Sequence, residues 1–412
     1  MERDTSLSDD LFRHHRRAME APSAKRPRPE EAASAFFRAT RAADAVALTD
    51  CAQLSNASNG NAVLMPWIGY GTYKLGAAGA QSATLAALRC GYRMIDTAYI
   101  YAGEKTESEV GKALRIALTD GEETLKSRAD VFIVTKHWRK FHGFLPALGC
   151  LDRSLSRLGV DYVDLWLMHW PGPAWNTMNR RKDEMEEHGP WHYAVDGHGQ
   201  DQIAALRAET WRAMEEALRV GKARSIGVSN FTISHLETLK KTAKVWPPAV
   251  NQVEAHPLYQ QAELREYCER EGIILQAYAA LGGQDASKAK WQSLGGRLLD
   301  SPPVLAAAAA HTAHAVAPST AEVVADASGS SNARGGVVTP AQVLLRWALQ
   351  KGMSVTPKSA HTERMVENAA CLNFQLAPSE ISAIDALSAN APEEHDGRLC
   401  WRNDPLRLLD FE

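Results

Sequence analysis

Apolar residues run along this chain in short stretches, and most stretches end on a polar side chain. Eight of them read as short buried strands, at 67–71, 94–98, 131–136, 164–169, 225–229, 250–253, 273–279 and 354–358. Between them, apolar positions recur at helical spacing, which predicts helices over 81–89, 107–118, 144–158, 210–220, 234–242, 262–271, 340–350 and 362–370. Strands alternating with helices argue for a parallel sheet of the α/β class, and eight repeats point to a closed (β/α)8 TIM barrel. Such barrels take ~250 residues plus insertions, which residues 54–412 accommodate. A doubly wound open sheet is the alternative, weakened because no G-x-G-x-x-G follows the first strand.

Three stretches leave this pattern. Residues 1–50 carry the proline-rich, basic PSAKRPRP at 22–29 and no core periodicity, so they read as a disordered N-terminal extension. Lys25–Arg28 resembles a nuclear-localisation patch, and a solvated tail is the preferred reading. Order is expected from near Leu54, where Gln53–Ser55 and Ala62–Leu64 flank the turn-forming Asn56–Gly60 and would pair as a short N-terminal hairpin. The barrel domain would then span 51–412. An insertion at Pro171–Ala208, charged and aromatic, would be a long loop covering the C-terminal face as a lid. A second insertion, Gly282–Thr339, is low-complexity over about 300–338, with Ala306–Ala310, Ser328–Ser331 and Gly335–Gly336. Its Ala/Ser/Gly part is expected to be disordered, and Lys288–Leu299 ordered.

Composition narrows the class. Of 412 residues, 45% are apolar and 23% charged, ordinary for a soluble globular protein. A formal charge of −3 gives no case for nucleic acid as a partner. No apolar run approaches the ~18 residues of a membrane span, and the start, MERDTSLSDDLFRHHRR, has no apolar core of a secretory signal. Six scattered cysteines form no C-x-x-C and no zinc spacing, and read as reduced thiols. A cytoplasmic monomer is the expectation. His188 and His192 have ligand spacing, but Gly189-Pro190 between them breaks a helix, so no metal is expected.

The strand ends carry the candidate chemistry. The second strand ends in Asp96 with Tyr101 in its loop, the third in Lys136 and the fourth in His169. The fifth ends in Ser229-Asn230, the sixth carries Gln252, the seventh Tyr278, and the eighth ends in Lys358-Ser359. C-terminal strand ends are where such barrels do chemistry. A lysine closing an apolar strand needs a partner, and Asp96 on the neighbouring strand is a natural one. The ammonium would favour the phenolate of Tyr101 and lower its pKa from about 10, making it a usable proton donor.

Six stretches carry a family resemblance: GYRMIDTAYIY at 91–101, VFIVTKHW at 131–138, LDRSLSRLGVDYVDLWLMHWP at 151–171, GKARSIGVSNF at 221–231, AVNQVEAHPLYQQAELREYC at 249–268 and TPKSAHTERMVEN at 356–368. With these in this order, the chain resembles the aldo-keto reductases from Leu54 to Trp401. The resemblance implies NADPH-dependent reduction of an aldehyde or ketone, with a catalytic tetrad at Asp96, Tyr101, Lys136 and His169. It implies NADPH/NADP+ contacts at Gly71, Thr72, Ser229, Asn230, Gln252, Tyr278, Leu281, Lys358, Ser359, Arg364 and Asn368. Tyr101 would donate the proton, His169 orient the carbonyl, and Tyr278 stack on the nicotinamide ring. Ser229, Asn230 and Gln252 would hold the carboxamide, and Lys358, Ser359, Arg364 and Asn368 the adenosine-phosphate end. Substrate-pocket candidates are Tyr73, Trp138, Trp170 and the tail Arg398–Trp401. Ala279 and Gly283 depart from residues the family uses near the pyrophosphate, and the loop after them is longer. The competing function is an NADP-binding regulatory or channel-subunit-like protein with little turnover, since a fold does not fix a function. A third, a lyase or isomerase using Lys136 as a Schiff base, is opposed by Asp96 and Tyr101 beside it.

Overall fold

The computed structural model describes residues 38–57, 62–119, 125–173, 200–283, 296–314, 336–390 and 398–400. Three short strands come first, β1 (Arg38–Ala39), β2 (Asp50–Gln53) and β3 (Leu64–Pro66). Eight parallel strands come next, neighbouring one another in chain order: β4 (Tyr70–Gly71), β5 (Met94–Asp96), β6 (Phe132–His137), β7 (Leu165–Met168), β8 (Ile226–Ser229), β9 (Val250–Glu254), β10 (Ile274–Tyr278) and β11 (Ser354–Val355). The last strand bonds back to the first. Val355 N donates to Trp67 O at 2.9 Å, Gly69 N to Val355 O at 2.8 Å, and Gly71 N to Pro357 O at 3.0 Å. The sheet is therefore a closed α/β barrel of the (β/α)8 kind. A Cβ on Gly71 would lie 2.8 Å from Thr356 O, so this closure requires glycine.

Helices cover the sheet: α1 (Gly76–Arg89), α2 (Thr106–Thr119), α3 (Phe144–Leu158), α4 (Gln200–Arg219), α5 (Ile233–Lys240), α6 (Ala262–Glu271), α7 (Pro302–His314), α8 (Pro340–Gln350), α9 (Thr362–Ala369) and α10 (Pro378–Asp385). Each turns a stripe inward; in α3 it is Ala147, Leu151, Leu155 and Leu158. The strands are buried along their whole length in β6, β7, β8 and β9, and β7, Leu165–Met168, is an unbroken apolar run for that reason.

Three expectations shift. Order begins before Leu54: β1 pairs in parallel with β2, and β2 pairs antiparallel with β3 in the register Cys51–Pro66 to Gln53–Leu64. The link is held by Arg346, fully buried on α8, which donates to Ala45 O at 3.0 Å and Ala43 O at 2.8 Å. Helix α4 starts at Gln200, so the last part of the expected fourth-strand insertion is helical. That stretch, DQIAALRAE, is built of strong helix formers. The alanine run Ala306–Ala310 lies inside helix α7 rather than in a disordered segment, with Val304, Ala307 and Ala308 buried. Alanine is the best helix former, and a run of it has no periodicity to reveal which face packs. Trp401, His188, His192, Lys288 and Ser328–Ser331 lie outside the described residues.

Candidate active site

The side chains named from the strand ends converge at the C-terminal mouth of the barrel. A cavity of about 900 Å³ there is lined by Gly71, Tyr73, Asp96, Tyr101, Trp138, His169, Trp170, Ser229, Asn230, Gln252, Tyr278, Leu281, Lys358, Ser359, Arg364 and Asn368. That size sits near the top of the ~300–1,000 Å³ range of small-molecule sites. Lys136 and Thr72 are the exceptions, lying behind the wall rather than on it. Thr72 Oγ1 donates to Asp96 O at 2.9 Å and ties the first strand's loop to the second strand.

Lys136 is the hub. Asp96 ends β5 and Lys136 stands two residues past its register partner Val134 on β6, so the lysine overhangs the carboxylate. Its Nζ donates to Asp96 Oδ1 at 2.7 Å, to Thr97 O at 2.9 Å and to Tyr101 OH at 3.2 Å. All three ammonium protons are thereby engaged, and the phenol oxygen is an acceptor toward Lys136. The Tyr101 proton is left to point elsewhere, into the cavity. Burial lowers the Lys136 pKa, and Asp96 opposes that. The expected lowering at Tyr101 does not occur: burial pushes its pKa well above the ordinary value, and the Asp96 charge adds to the rise. The phenol is neutral across the physiological range.

Aromatic rings frame this group. Tyr73 lies 5.1 Å and His169 6.1 Å from Tyr101, and Trp138 lies 5.7 Å from His169, all between ring centroids. His169 follows β7, and its backbone carbonyl accepts from Asn230 Nδ2 at 2.9 Å. Asn230, with a φ of 62°, takes a left-handed turn that asparagine tolerates. Its amide is engaged at both ends, because Oδ1 also accepts from Tyr278 OH at 2.8 Å. Ser229 Oγ donates to Gln252 O at 2.7 Å. Among the three residues expected to hold a carboxamide, Gln252 thus keeps the open polar atom.

The far end is basic. Burial lowers the Lys358 pKa, and the charge of Lys74 lowers it further. Arg364 is exposed at the start of α9. Lys74 escaped the sequence reading; a lysine with a φ of 58° in the loop after the first strand carries no signature by itself. Arg297, Asp300 and Leu299, from the turn before α7, also line the cavity and were not foreseen. Leu399 N and Cys400 N both donate to Glu254 Oε1, which brings the Arg398–Cys400 segment against the mouth. An open acceptor at Gln252, an aromatic ring at Tyr278 and cations at the other end fit an elongated anionic dinucleotide. Among the described residues no group of three or more His, Cys, Asp and Glu side chains could hold a metal.

The parallel barrel thus carries a buried lysine–carboxylate–phenol cluster at its mouth. The particular family emerges from comparison with known proteins. The model of the Aldo/keto reductase family matches residues 67–389. A glyoxal reductase from Bacillus subtilis is 35% identical over 329 residues, covering 80% of this chain and 91% of that protein. An NADPH-dependent D-xylose reductase from Meyerozyma guilliermondii is 35% identical over 323 residues, covering 78% and 91%. A crystal structure of an aldo/keto reductase from Brucella melitensis superposes with a TM-score of 0.59 at 32% identity, covering 81% of this chain and 98% of that one. The chain belongs to the aldo-keto reductase family, whose members use nicotinamide cofactors. No described helix is long and apolar enough to cross a membrane.

Proposed function

We propose that the protein reduces an aldehyde or ketone to the alcohol with NADPH, and that Tyr101 supplies the proton. The observation that carries this is the single ammonium of Lys136 bonded at once to Asp96 at 2.7 Å and to Tyr101 OH at 3.2 Å. The dinucleotide, when bound, supplies the hydride. Tyr101 gives its proton to the carbonyl oxygen, and Lys136 stabilises the tyrosinate left behind by donating to it. Asp96 keeps Lys136 charged against the desolvation that lowers its pKa. His169, beside Tyr101, orients the carbonyl oxygen by a hydrogen bond. Tyr73, Trp138 and Trp170 make an apolar wall that excludes water, and Tyr278 faces the ring of the cofactor. Lys358, Ser359 and Arg364 take the 2′-phosphate. Lys358, Ser359 and Arg364 all line the cavity, which supports that choice. Gly71, Thr72, Leu281 and Asn368 complete the cofactor contacts in this reading, and a monomer in the cytoplasm is its working form.

The test is consumption of NADPH by purified protein against a panel holding a small dicarbonyl, an aldose and an aromatic aldehyde. The first two are chosen because relatives are named as glyoxal and D-xylose reductases. Turnover strongly lowered by Tyr101→Phe is expected. Tight NADPH binding with no turnover on any carbonyl would make the protein a binding module instead.

A further inference from the structure

The barrel interior holds a polar row, two members of which, Gln276 and Ser354, the chemistry above leaves unused. Ser229, Gln252, Gln276 and Ser354 are successive register partners across β8, β9, β10 and β11. Gln276 and Ser354 are fully buried. Met65 Sδ and Met94 Sδ lie 3.9 Å and 3.8 Å from Gln276 Nε2. A buried amide against thioethers is unfavourable unless its hydrogen bonds matter.

The chemistry of the neighbours dictates which way each amide faces. Gln252 Nε2 stands 2.8 Å from Asp96 Oδ2 and 2.6 Å from Gln276 Oε1. A carboxylate only accepts, so the end of Gln252 that meets Asp96 is the NH2 group. Its second N–H points at Gln276, which therefore presents oxygen. The NH2 of Gln276 is left for Ser354 Oγ at 3.1 Å and the two sulphurs, all acceptors. Both donors of Gln252 are spent. Its Oε1 accepts from no described residue, and Gln252 lines the cavity.

We propose that Gln276 is a positioning residue for the cofactor: by accepting the second N–H of Gln252 it holds the Gln252 oxygen toward the cavity, so the site selects a ring substituent that donates a hydrogen bond. Resting on the nicotinamide reading above, this makes the carboxamide NH2 the group selected. Removing the acceptor leaves one buried N–H of Gln252 unpaired while Asp96 still holds the other, so the amide is held at one point instead of two and its oxygen is kept less firmly toward the cavity.

The experiment is equilibrium binding, by protein fluorescence, of NADP+ and of its 3-acetylpyridine analogue, in which a methyl replaces the carboxamide NH2. The wild type is expected to prefer NADP+ by about tenfold, the scale of one hydrogen bond to a buried acceptor. Gln276→Met, similar in volume, should narrow that ratio by about threefold, since Asp96 still holds one N–H of Gln252. Gln276→Glu keeps an oxygen facing Gln252 and should retain the preference. Ser354→Ala frees the other end of Gln276 and should narrow the ratio partway, which decides the matter if the Met variant does not fold. An unchanged ratio in Gln276→Met or, failing that, in Ser354→Ala overturns the assignment. So does an equal loss for both ligands, which would mark Gln276 as packing alone, and so does a wild type that binds the two equally. A wild type that binds neither removes the dinucleotide reading itself, and the role of Gln276 with it.

Discussion

At Tyr101 two effects oppose each other, and burial wins. The Lys136 ammonium is 3.2 Å away, yet the phenol pKa rises, because desolvation outweighs that contact and Asp96 acts in the same direction as burial. From sequence only the lysine's influence was visible; the depth of the ring was not. The consequence is directional. Reduction needs the protonated phenol, which is lost only as pH rises through its pKa, here above the ordinary value of about 10. The rate of carbonyl reduction should therefore stay level on the alkaline side to about pH 9, checked by initial rates at saturating NADPH. An alkaline fall centred near neutrality would contradict this. Tyr101→Phe should lower kcat by ~10²–10⁴-fold while leaving the dissociation constant of NADPH nearly unchanged. At the other end of the site, Arg364→Ala should weaken NADPH by about tenfold and NADH hardly at all, since only NADPH carries a phosphate for the guanidinium fork. Fluorescence titration of both cofactors distinguishes this from a solvated surface charge, for which the two would change together.

Among the elements, the eight strands were legible because strands buried on both faces are short apolar runs, and the acid, lysine and histidine that break those runs at their ends mark the site. Asp96, Lys136 and His169 stood out for that reason. Gln276 did not, because one glutamine inside IILQAY gives no hint that its neighbours in register are also polar. Helix α7 was missed because alanines look alike on every face; it packs through Val304, Ala307 and Ala308, and His311 Nε2 meets Glu380 Oε2 at 2.9 Å. Replacing 306–336 by a short linker should therefore destabilise the barrel, read as a lower melting temperature, although most loop lengthening or shortening has a small entropic effect. Strand β6 carries a second titrating feature. His137 and His142 are buried with ring centroids 4.7 Å apart. Burial holds His137 down to about 4 and His142 well below its ordinary value. Unfolded imidazoles protonate near 6.5, so below that pH the unfolded chain takes up protons that the folded chain refuses. Stability is full above about 6.5 and is lost as pH falls toward about 4. His137→Phe cannot titrate, and should reduce the drop between about pH 7.5 and 4.5 by about 2 kcal/mol in urea unfolding. An identical drop in the variant would place the acid sensitivity elsewhere.

On the scale of the whole molecule, the barrel does not begin where its hydrophobic pattern begins. Residues 38–50 have no periodicity of their own, since β1 is two residues long and the link from it to β2 contains no further strand. Their importance comes from distant partners that only the fold brings near. Trp67, next to the first barrel strand, donates through Nε1 to Thr40 O at 3.1 Å, and its backbone N–H to Asp50 O at 3.0 Å. Asp50 in turn accepts from Val46 N at 2.8 Å and Ala47 N at 3.0 Å, which folds the segment into a compact turn. Arg346 is the decisive member. It is a cation with no exposed surface, and burial lowers its pKa. Its ties to Ala43 O and Ala45 O therefore offset a desolvation that would otherwise stand uncompensated. Two truncations separate the contributions. Removal of residues 1–37 leaves every one of these bonds in place and should leave melting temperature and turnover close to those of the full chain. Removal of residues 1–50 deletes both carbonyls and exposes the Trp67 edge, and should destabilise by ~3 kcal/mol or more, the scale of stripping a buried charge of its partners. Arg346→Met made in the shorter chain should recover part of that loss, because an apolar side chain of similar length needs no acceptor there. Equal melting temperatures for the two truncations would mean that Arg346 finds other partners, and that the boundary of the fold lies at Leu54 after all.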